Sequence, residues 1–442
     1  MFMNIVPRKT AAAVAALLLA FTAAGCSSLG VKEEAQPAPQ TGGTQTATST
    51  GAKPIKLRVM WWGSQARHDA TLKILDLYTK KNPNITFETQ YQGFDGYLDK
   101  LTTQAAAKNA PDIIQMDAAW LADWNGRGQL ADLSSGINTN DIDPSLLDTG
   151  KYKGKLTAVP LGNNAWGMIY DKAALEKLGV APPKDGYTWD DYFKLVEEIK
   201  PKLGKGQYVI KDGTTDTTQY AAFQLSRGKG WPVTVDGKFN YDKESWLEWT
   251  KKFAQLRKDG VVPPPDVQLA DKDLDPTADM LINGKLLFKG LHAAQVSAYD
   301  ALKPGAIGVA AMPQGVQGGG WLKATFYFSV SQDSQYKEEA KKFIDWFIND
   351  PEAGEIGGTT RGVPITSKIV AQLQPKFNLG DKLTVEMINK TALKPQVFNP
   401  GAPGWTDFAK DEQDIRERLM FEKITPEQAF DELAKAGKKY EK

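Results

Sequence analysis

The sequence predicts an α/β protein of two domains, in which helices flank largely parallel sheets. Stretches with the two-residue period of a strand alternate with stretches of helical period from residue 55 onward. Roughly 390 of the 442 residues follow the N-terminal segment, which is too many for a single hydrophobic core and suits two. The 12 Trp, 14 Tyr and 18 Phe exceed what such cores require, so some are expected in a binding site.

Residues 1–25 have the organisation of a secretory signal peptide. Arg8 and Lys9 precede an apolar run over residues 11–24, which ends in small residues. The run has about 14 residues, whereas a membrane-spanning helix needs roughly 20. We therefore expect residues 1–25 to be cleaved during export.

Cys26, the only cysteine, stands directly after the expected cleavage site. The stretch around it resembles a bacterial lipobox, in which this thiol takes fatty acyl chains such as palmitate and becomes the mature N-terminus. Ala23 departs from the leucine that lipoboxes favour, and the alternative is a spare thiol in an ordinary signal peptide. Residues 26–53 are rich in Ser, Thr, Gly, Pro and Gln, which predicts a disordered tether with a mean span of roughly 30 Å.

The first domain opens with a β-α-β-α-β pattern. Strands are predicted over residues 55–61, 85–91 and 112–116, with helices over 69–80 and 97–108 between them. The carboxyl ends of parallel strands meet at one edge of a sheet, where ligands bind in such folds.

Polar and aromatic residues follow each of these three strands, so we expect them at one rim. Any of them taken singly could instead be a core residue, and for Trp62 and Trp120 the two interpretations are evenly balanced. The candidates are Trp62, Arg67 and His68 after the first strand, Asp95 and Tyr97 after the second, and Asp117 and Trp120 after the third.

Charge and motifs argue against several other classes of protein. A net charge of +1 gives no field for binding nucleic acid. Residues typical of a serine nucleophile elbow, a phosphate-binding loop, a dinucleotide fold or a zinc protease are absent from the sequence. With two histidines and one cysteine, a zinc site is not expected, and we predict no cofactor. A glycosidase with Asp95 and Asp117 as its carboxylates remains the enzymatic alternative.

Asp271, Asp273 and Asp275 have the opening spacing of a calcium-binding loop. Pro276 replaces the glycine that such a loop requires, and Ile282 stands where the bidentate glutamate belongs. We interpret the segment as a solvated acidic turn.

Several segments of the remaining chain have a recognisable sequence. They are 154–175 (GKLTAVPLGNNAWGMIYDKAAL) with 188–191 (TWDD), 284–291 (GKLLFKGL), 308–315 (GVAAMPQG), 339–365 (EAKKFIDWFINDPEAGEIGGTTRGVPI) and 425–434 (TPEQAFDELA). In order and spacing they resemble family 1 extracellular solute-binding proteins, the sugar-binding subunits of ABC importers. The resemblance extends over nearly all of residues 55–442.

The resemblance implies a type II fold like that of periplasmic binding proteins, with two lobes, each a central mostly parallel sheet flanked by helices, and a hinge of several crossings. The first lobe is expected to comprise residues 55–162 and 331–394, and the second residues 163–330 and 395–442. The implied protein is a monomer on the outer face of the cell membrane that passes a carbohydrate to a permease served by a cytoplasmic ATPase.

The resemblance also places second-lobe residues beside the crossings and in irregular segments. Sugars pack their C–H faces on aromatic rings and hydrogen-bond to short polar side chains, which suits this set. Alternatives are an amino-acid or peptide ligand bound by Asp117 with Arg67 or Arg361, and a surface carbohydrate-binding module. The candidates are Asn163, Asn164, Trp166, Trp231, His292, Trp321, Arg361 and Trp405.

Overall fold

The computed structural model describes residues 53–94, 96–402, 404–405 and 407–441. The predicted signal peptide, Cys26, the tether and Asp95 lie outside the described residues. Within these ranges, no helix combines the length and the apolar character that a membrane crossing requires.

The strands form two principal sheets and a short hairpin. In chain order they are β1 (Ile55–Trp62), β2 (Ile85–Gln92), β3 (Ile113–Met116), β4 (Lys151–Tyr152), β5 (Lys155–Leu156), β6 (Val159–Pro160), β7 (Asn163–Asp171), β8 (Phe288–His292), β9 (Ile307–Ala311), β10 (Leu322–Ala324) and β11 (Tyr327–Val330).

The helices alternate with these strands in the first part of the chain and predominate in the last part. They are α1 (Gln65–Lys81), α2 (Tyr97–Ala106), α3 (Ala118–Gly126), α4 (Pro144–Asp148), α5 (Lys172–Lys177), α6 (Trp189–Ile199), α7 (Thr217–Ser226), α8 (Lys243–Lys258), α9 (Pro265–Leu269), α10 (Val296–Leu302), α11 (Lys337–Asn349), α12 (Pro351–Gly357), α13 (Ser367–Leu373), α14 (Leu379–Ala392), α15 (Phe408–Met420) and α16 (Pro426–Gly437).

The first sheet has the order β2-β1-β3-β11-β6. Strand β1 pairs in parallel with β2 and β3, as the β-α-β-α-β pattern predicts, and β11 returns antiparallel to both β3 and β6. Residues such as Leu57, Val59 and Ile113 point into a core that helix α11 closes with Phe343 and Ile344. The carboxyl ends of β1 and β3 therefore lie side by side.

The second sheet is built around the long strand β7. It pairs antiparallel with β8, β9 and β10, so the predicted mostly parallel arrangement is wrong for this sheet. The direction of β10 follows from the connections, because β7 leaves the junction between the sheets and β10 returns to it. One face of β7 packs against an aromatic core that includes Trp189, Trp246 and Trp249.

Three chain segments cross between the sheets and are hydrogen-bonded to one another. Thr325 N donates to Gly162 O at 2.9 Å, and Asn163 N donates to Val363 O at 2.6 Å. A Cβ atom on Gly162 would lie 1.8 Å from Arg361 O, so this close crossing requires glycine. We call residues 161–163, 324–326 and 361–363 the hinge.

Helix α14 packs on the second sheet, whereas its residues were predicted to belong to the first lobe. Met387 and Ile388 join the core formed by Ile169 and Leu322. The apolar face of α14 is buried there, so the chain reaches the second sheet before this helix and not after residue 394.

The acidic segment at residues 271–275 is only in part the solvated turn that its sequence suggested, because the Asp273 side chain is 48% exposed but Asp271 is buried. The Asp271 side chain is fully buried and accepts hydrogen bonds from Lys211 at 2.8 Å and Lys289 at 3.3 Å. Lys289 also donates to the buried Asp279 carboxylate at 2.9 Å. An internal ammonium group therefore neutralises these carboxylates.

Candidate functional site

Aromatic side chains gather where the first sheet ends. Trp62, the last residue of β1, lies 5.2 Å from the ring of Trp120, 5.7 Å from Phe94 and 5.3 Å from Phe326, measured between centroids. Phe94 is 55% exposed, while Trp120 and Phe326 are half-buried. We call Trp62, Phe94, Trp120 and Phe326 the first aromatic cluster. Phe326 was not predicted, since it lies in the hinge and not in a loop after a parallel strand.

Arg67 links this cluster to the hinge. Its Nε donates to Thr360 O at 2.9 Å, and one terminal nitrogen donates to Trp62 O at 3.1 Å. The guanidinium carbon lies 4.3 Å from the centroid of Phe326, a cation–π contact. Burial lowers the pKa of Arg67 from its ordinary value.

Asp117 begins helix α3 at the carboxyl end of β3. Its Oδ1 accepts a hydrogen bond from Ala119 N at 2.9 Å, which caps the helix. The Asp117 side chain is half-buried. Burial lowers the pKa of Lys323 on the second sheet, and the negative charge of Asp117 partly offsets that effect. Asp117 therefore lies where the first sheet faces the second.

A matching group of side chains lies at the hinge end of the second sheet. The rings of Trp166 and Trp321 stack with centroids 6.2 Å apart, and Trp231 lies 4.7 Å from Trp321. His292 pairs with Trp166 across β7 and β8, with 5.0 Å between the rings. We call Trp166, Trp231, His292 and Trp321 the second aromatic cluster.

Lys323 lies on the same face of this sheet and was not singled out from the sequence. It pairs with Asn164 across β10 and β7, in the register that continues to Trp321 opposite Trp166. Side chains of directly opposed residues point to the same face of a sheet. Lys323 therefore accompanies the second aromatic cluster.

Two indole groups of the second aromatic cluster lack hydrogen-bond acceptors. Nε1 of Trp166 and Nε1 of Trp321 are buried and have no partner in the described part of the chain. Trp231, by contrast, donates its Nε1 to Val397 O at 2.9 Å. The core residues Trp189 and Trp405 also have unpaired Nε1 atoms, so it is their position beside the hinge that makes Trp166 and Trp321 candidates for contact with a polar ligand.

His292 is held in its neutral form. Burial, together with the charge of Lys323, lowers the pKa of His292 to about 4. A neutral imidazole offers one donor and one acceptor to a ligand.

Asn163 and Asn164 have different environments. Oδ1 of Asn163 is buried without a partner, as for the two indole groups. Oδ1 of Asn164 accepts from Ala165 N and Ala294 N, both at 3.0 Å, and so fixes the turn after β8. Asn164 lies on the face of β7 that carries Trp166, whereas Asn163 lies on the opposite face.

Three predicted candidates are core residues. The Tyr97 hydroxyl lies 2.8 Å from Gln115 O and 3.0 Å from Met60 O, and its ring supports Trp62 from below. Nδ1 of the buried His68 accepts from Trp61 Nε1 at 3.1 Å. Both satisfy polar groups inside the first domain, which explains their presence without a ligand.

Trp405 is the third of these core residues and lies away from both clusters. Its ring packs against Phe408 at 5.0 Å and Tyr440 at 5.8 Å, beneath helices α15 and α16. The irregular sequence around it gave no apolar periodicity by which this packing could be predicted.

Arg361 is 4% exposed and connects the hinge to the first sheet. Its Nε donates to Gln115 Oε1 at 3.2 Å and one terminal nitrogen donates to Thr71 Oγ1 at 2.9 Å. Burial, with a smaller contribution from Arg67, lowers the pKa of Arg361 to about 9. The other terminal nitrogen has no partner in the described part of the chain.

Two α/β sheets joined by a hydrogen-bonded hinge, with aromatic clusters beside it, define a two-lobed ligand-binding protein. The family model for bacterial extracellular solute-binding proteins matches residues 73–382, and the chain belongs to this family. The predicted relationship to family 1 extracellular solute-binding proteins is thereby confirmed.

Curated relatives include binding proteins of ABC transporters. An uncharacterized ABC transporter extracellular-binding protein of Pyrococcus horikoshii is 32% identical over 190 residues, which cover 42% of each chain. The melibiose/raffinose/stachyose-binding protein of Bacillus subtilis is 24% identical over 322 residues, which cover 67% of this chain and 71% of the relative.

Solved structures share the fold over nearly the whole described chain. A family 1 extracellular solute-binding protein of Alicyclobacillus acidocaldarius is 26% identical with a TM-score of 0.78, covering 89% of this chain and 100% of that one. A periplasmic oligogalacturonide-binding protein of Yersinia enterocolitica is 24% identical with a TM-score of 0.74, covering 87% and 98%. The similarity to the Yersinia enterocolitica protein shows a shared fold and does not identify a ligand.

Proposed function

We propose that this protein captures an oligosaccharide between its two aromatic clusters and delivers it to a membrane permease. The observation that carries the proposal is the pair of unpaired indole N–H groups of Trp166 and Trp321 on rings that stack beside the hinge. A pyranose ring offers a C–H face for stacking and hydroxyl oxygens for these donors.

The first aromatic cluster supplies the opposing side of the binding site. Phe94, Trp120 and Phe326 are all partly exposed around the buried Trp62. Phe398 packs against the buried cores of both domains, and this contact supports a site whose two sides lie near each other. A ligand with several sugar rings reaches both clusters more readily than a single sugar does.

Closure of the two lobes would follow from these contacts. The hinge has three crossing segments, so the lobes can rotate without separating. A ligand that touches both clusters binds the closed form more tightly than the open one and shifts the population towards it. The permease would recognise the closed form, and a cytoplasmic ATPase would provide the energy.

The names of the relatives support a carbohydrate ligand without selecting one. One relative is named for melibiose, raffinose and stachyose, and one solved structure for oligogalacturonides. These are neutral sugars in the first case and acidic sugars in the second.

Purified protein lacking residues 1–26 tests the proposal against a panel of mono- and oligosaccharides. A binding protein raises its melting temperature with a sugar and leaves the amount of that sugar unchanged on prolonged incubation. Consumption of the sugar would instead identify a hydrolase with a carboxylate pair such as Asp95 and Asp117. A shift with amino acids or peptides alone would contradict the carbohydrate ligand.

We also propose that the protein is a monomer and that Cys26 carries the lipid anchor that holds it at the outer face of the cell membrane. Two acyl chains anchor a protein stably, and the tether of residues 26–53 would let the binding domain reach a permease. In cells, Cys26→Ser should release the protein from the membrane fraction. Retention of that variant would contradict the anchor and leave the binding function intact.

A further inference from the structure

The cations of the candidate site differ from buried cations elsewhere in the described chain by their lack of acidic partners. The buried Arg416 pairs with Glu412 at 2.6 Å, and Lys341 pairs with Glu338 at 3.1 Å. Lys289 lies within 3.3 Å of three aspartates. Arg361 is the fourth cation of this buried group, and it has no ion pair.

Lys323, beside the second aromatic cluster, also lacks an acidic partner. It is half-buried, and its ammonium group makes no hydrogen bond or ion pair within the described part of the chain. Its contact is a cation–π one, with Nζ 5.5 Å from the centroid of Phe398. Burial lowers the pKa of Lys323. The charge of Asp117 opposes that effect, although the two side chains do not form an ion pair.

Arg67 completes the group on the first sheet. Its hydrogen bonds go to the neutral carbonyl oxygens of Trp62 and Thr360. Arg67 and Arg361 repel one another, since the charge of Arg67 contributes to the lowered pKa of Arg361. Taking a charge out of water without an opposite charge is unfavourable, so an uncompensated cluster indicates a partner supplied by the ligand.

Few described negative charges oppose these three cations. Asp117 is the described carboxylate whose charge reaches Lys323, and one of its oxygens caps helix α3. The described charged groups of the site are therefore predominantly positive, although the net charge of the chain is only +1.

We infer that the ligand is an acidic oligosaccharide, with a uronate carboxylate bound by Lys323 while its rings stack on the aromatic clusters. This inference rests on the proposed function and deepens it. A uronate keeps the C–H face of a pyranose and replaces the exocyclic hydroxymethyl group by a carboxylate. Arg67 and Arg361 contribute positive potential from the first sheet.

Matched pairs of oligosaccharides test the inference by titration calorimetry on the intact binding domain. Suitable pairs are di- and trigalacturonate with galactobiose and galactotriose, glucuronate-bearing xylo-oligosaccharides with unsubstituted ones, and mannuronate oligomers with mannobiose and mannotriose. We expect at least one acidic member to bind about tenfold or more tightly than its neutral counterpart. Raising NaCl from about 50 mM to about 500 mM should weaken binding of the acidic ligand and leave binding of the neutral ligand unchanged.

The variant Lys323→Met should abolish the preference for the acidic member and keep the affinity for its neutral counterpart. Its melting temperature without ligand should equal or exceed that of the parent, because the lost ammonium group has no protein ion pair. Lys205→Met removes an exposed charge and should retain the preference.

The outcomes separate the two proposals. If sugars bind but no acidic member binds more tightly than its neutral counterpart, or if the preference survives Lys323→Met, the acidic ligand is overturned and carbohydrate binding stays in place. Binding of neither member of any pair, with no shift in melting temperature on the wider sugar panel, would overturn the carbohydrate proposal itself.

Discussion

The indole rings of Trp166 and Trp321 lie 12° from parallel with centroids 6.2 Å apart, and each presents a buried Nε1 that has no acceptor in the described chain. Strands β7 and β10 bring them together by direct pairing at the hinge. Two large rings fixed in this way form a rigid surface that loses little conformational entropy when a ligand binds.

Loss of either indole should weaken sugar binding. Trp166→Ala and Trp321→Ala are each expected to cost about 1–2 kcal/mol of binding free energy for the sugar that the screen identifies. The double variant should lose less than the sum, because the rings contact each other. Titration calorimetry measures all three values. Phe421→Ala, at an exposed aromatic residue after α15, is the control and should bind normally, and unchanged affinity in both Trp variants would contradict the assignment.

Lys289 should be essential for stability. Lys289→Met leaves the buried carboxylate of Asp279 without its cation and leaves Asp271 with Lys211 alone, so we expect the free energy of unfolding to fall by about 3–5 kcal/mol. Lys272→Met, at an exposed lysine of the same segment, is the matched control and should change it little. Equal stability of the two variants in urea denaturation would contradict the role of Lys289.

Gly162 should be intolerant of a side chain. In Gly162→Ala the new Cβ would lie 1.8 Å from Arg361 O, so the hinge crossing must open and the melting temperature should fall. Gly126→Ala adds a methyl group where nothing lies within 4 Å and should leave stability unchanged or slightly raised. If both variants melted alike, the close crossing at the hinge would be incorrect.

His292 should make folding sensitive to acid. Its pKa is about 4 in the folded protein and about 6.5 when unfolded, so the unfolded chain binds more protons between these values. The contribution of His292 to stability is complete above pH 6.5 and is lost as pH falls towards 4, at no more than about 1.4 kcal/mol per pH unit. His292→Gln should reduce this slope in denaturation curves across that window, and an unchanged slope would be inconsistent with a buried neutral imidazole.

Much of the first sheet could be predicted from its sequence because the strand and helix periods alternate there. Strands β1, β2 and β3 lie within a residue or so of the predicted bounds, and their loops do converge on one aromatic cluster. The second sheet was harder to predict, since its strands are far apart in the chain and their direction depends on pairing with β7.

Some residues of the candidate site could be predicted from the sequence and others could not. Trp166, Trp231 and Trp321 were predicted and do lie together. A buried aromatic residue that supports the site, such as Tyr97, has the same sequence appearance as one that faces a ligand. Lys323 could not be predicted from the sequence, because the absence of an ion pair around its ammonium group is visible only in the folded structure.

The crystal structure of the protein with the oligosaccharide that binds most tightly tests the central claim most directly. The account predicts sugar rings between the two aromatic clusters, in contact with Trp166 and Trp321 on one side and Trp62 or Trp120 on the other. It also predicts a sugar oxygen within hydrogen-bond distance of at least one of the free indole nitrogens. A ligand that touches only one sheet, or that lies away from both clusters, would contradict capture by closure of the hinge.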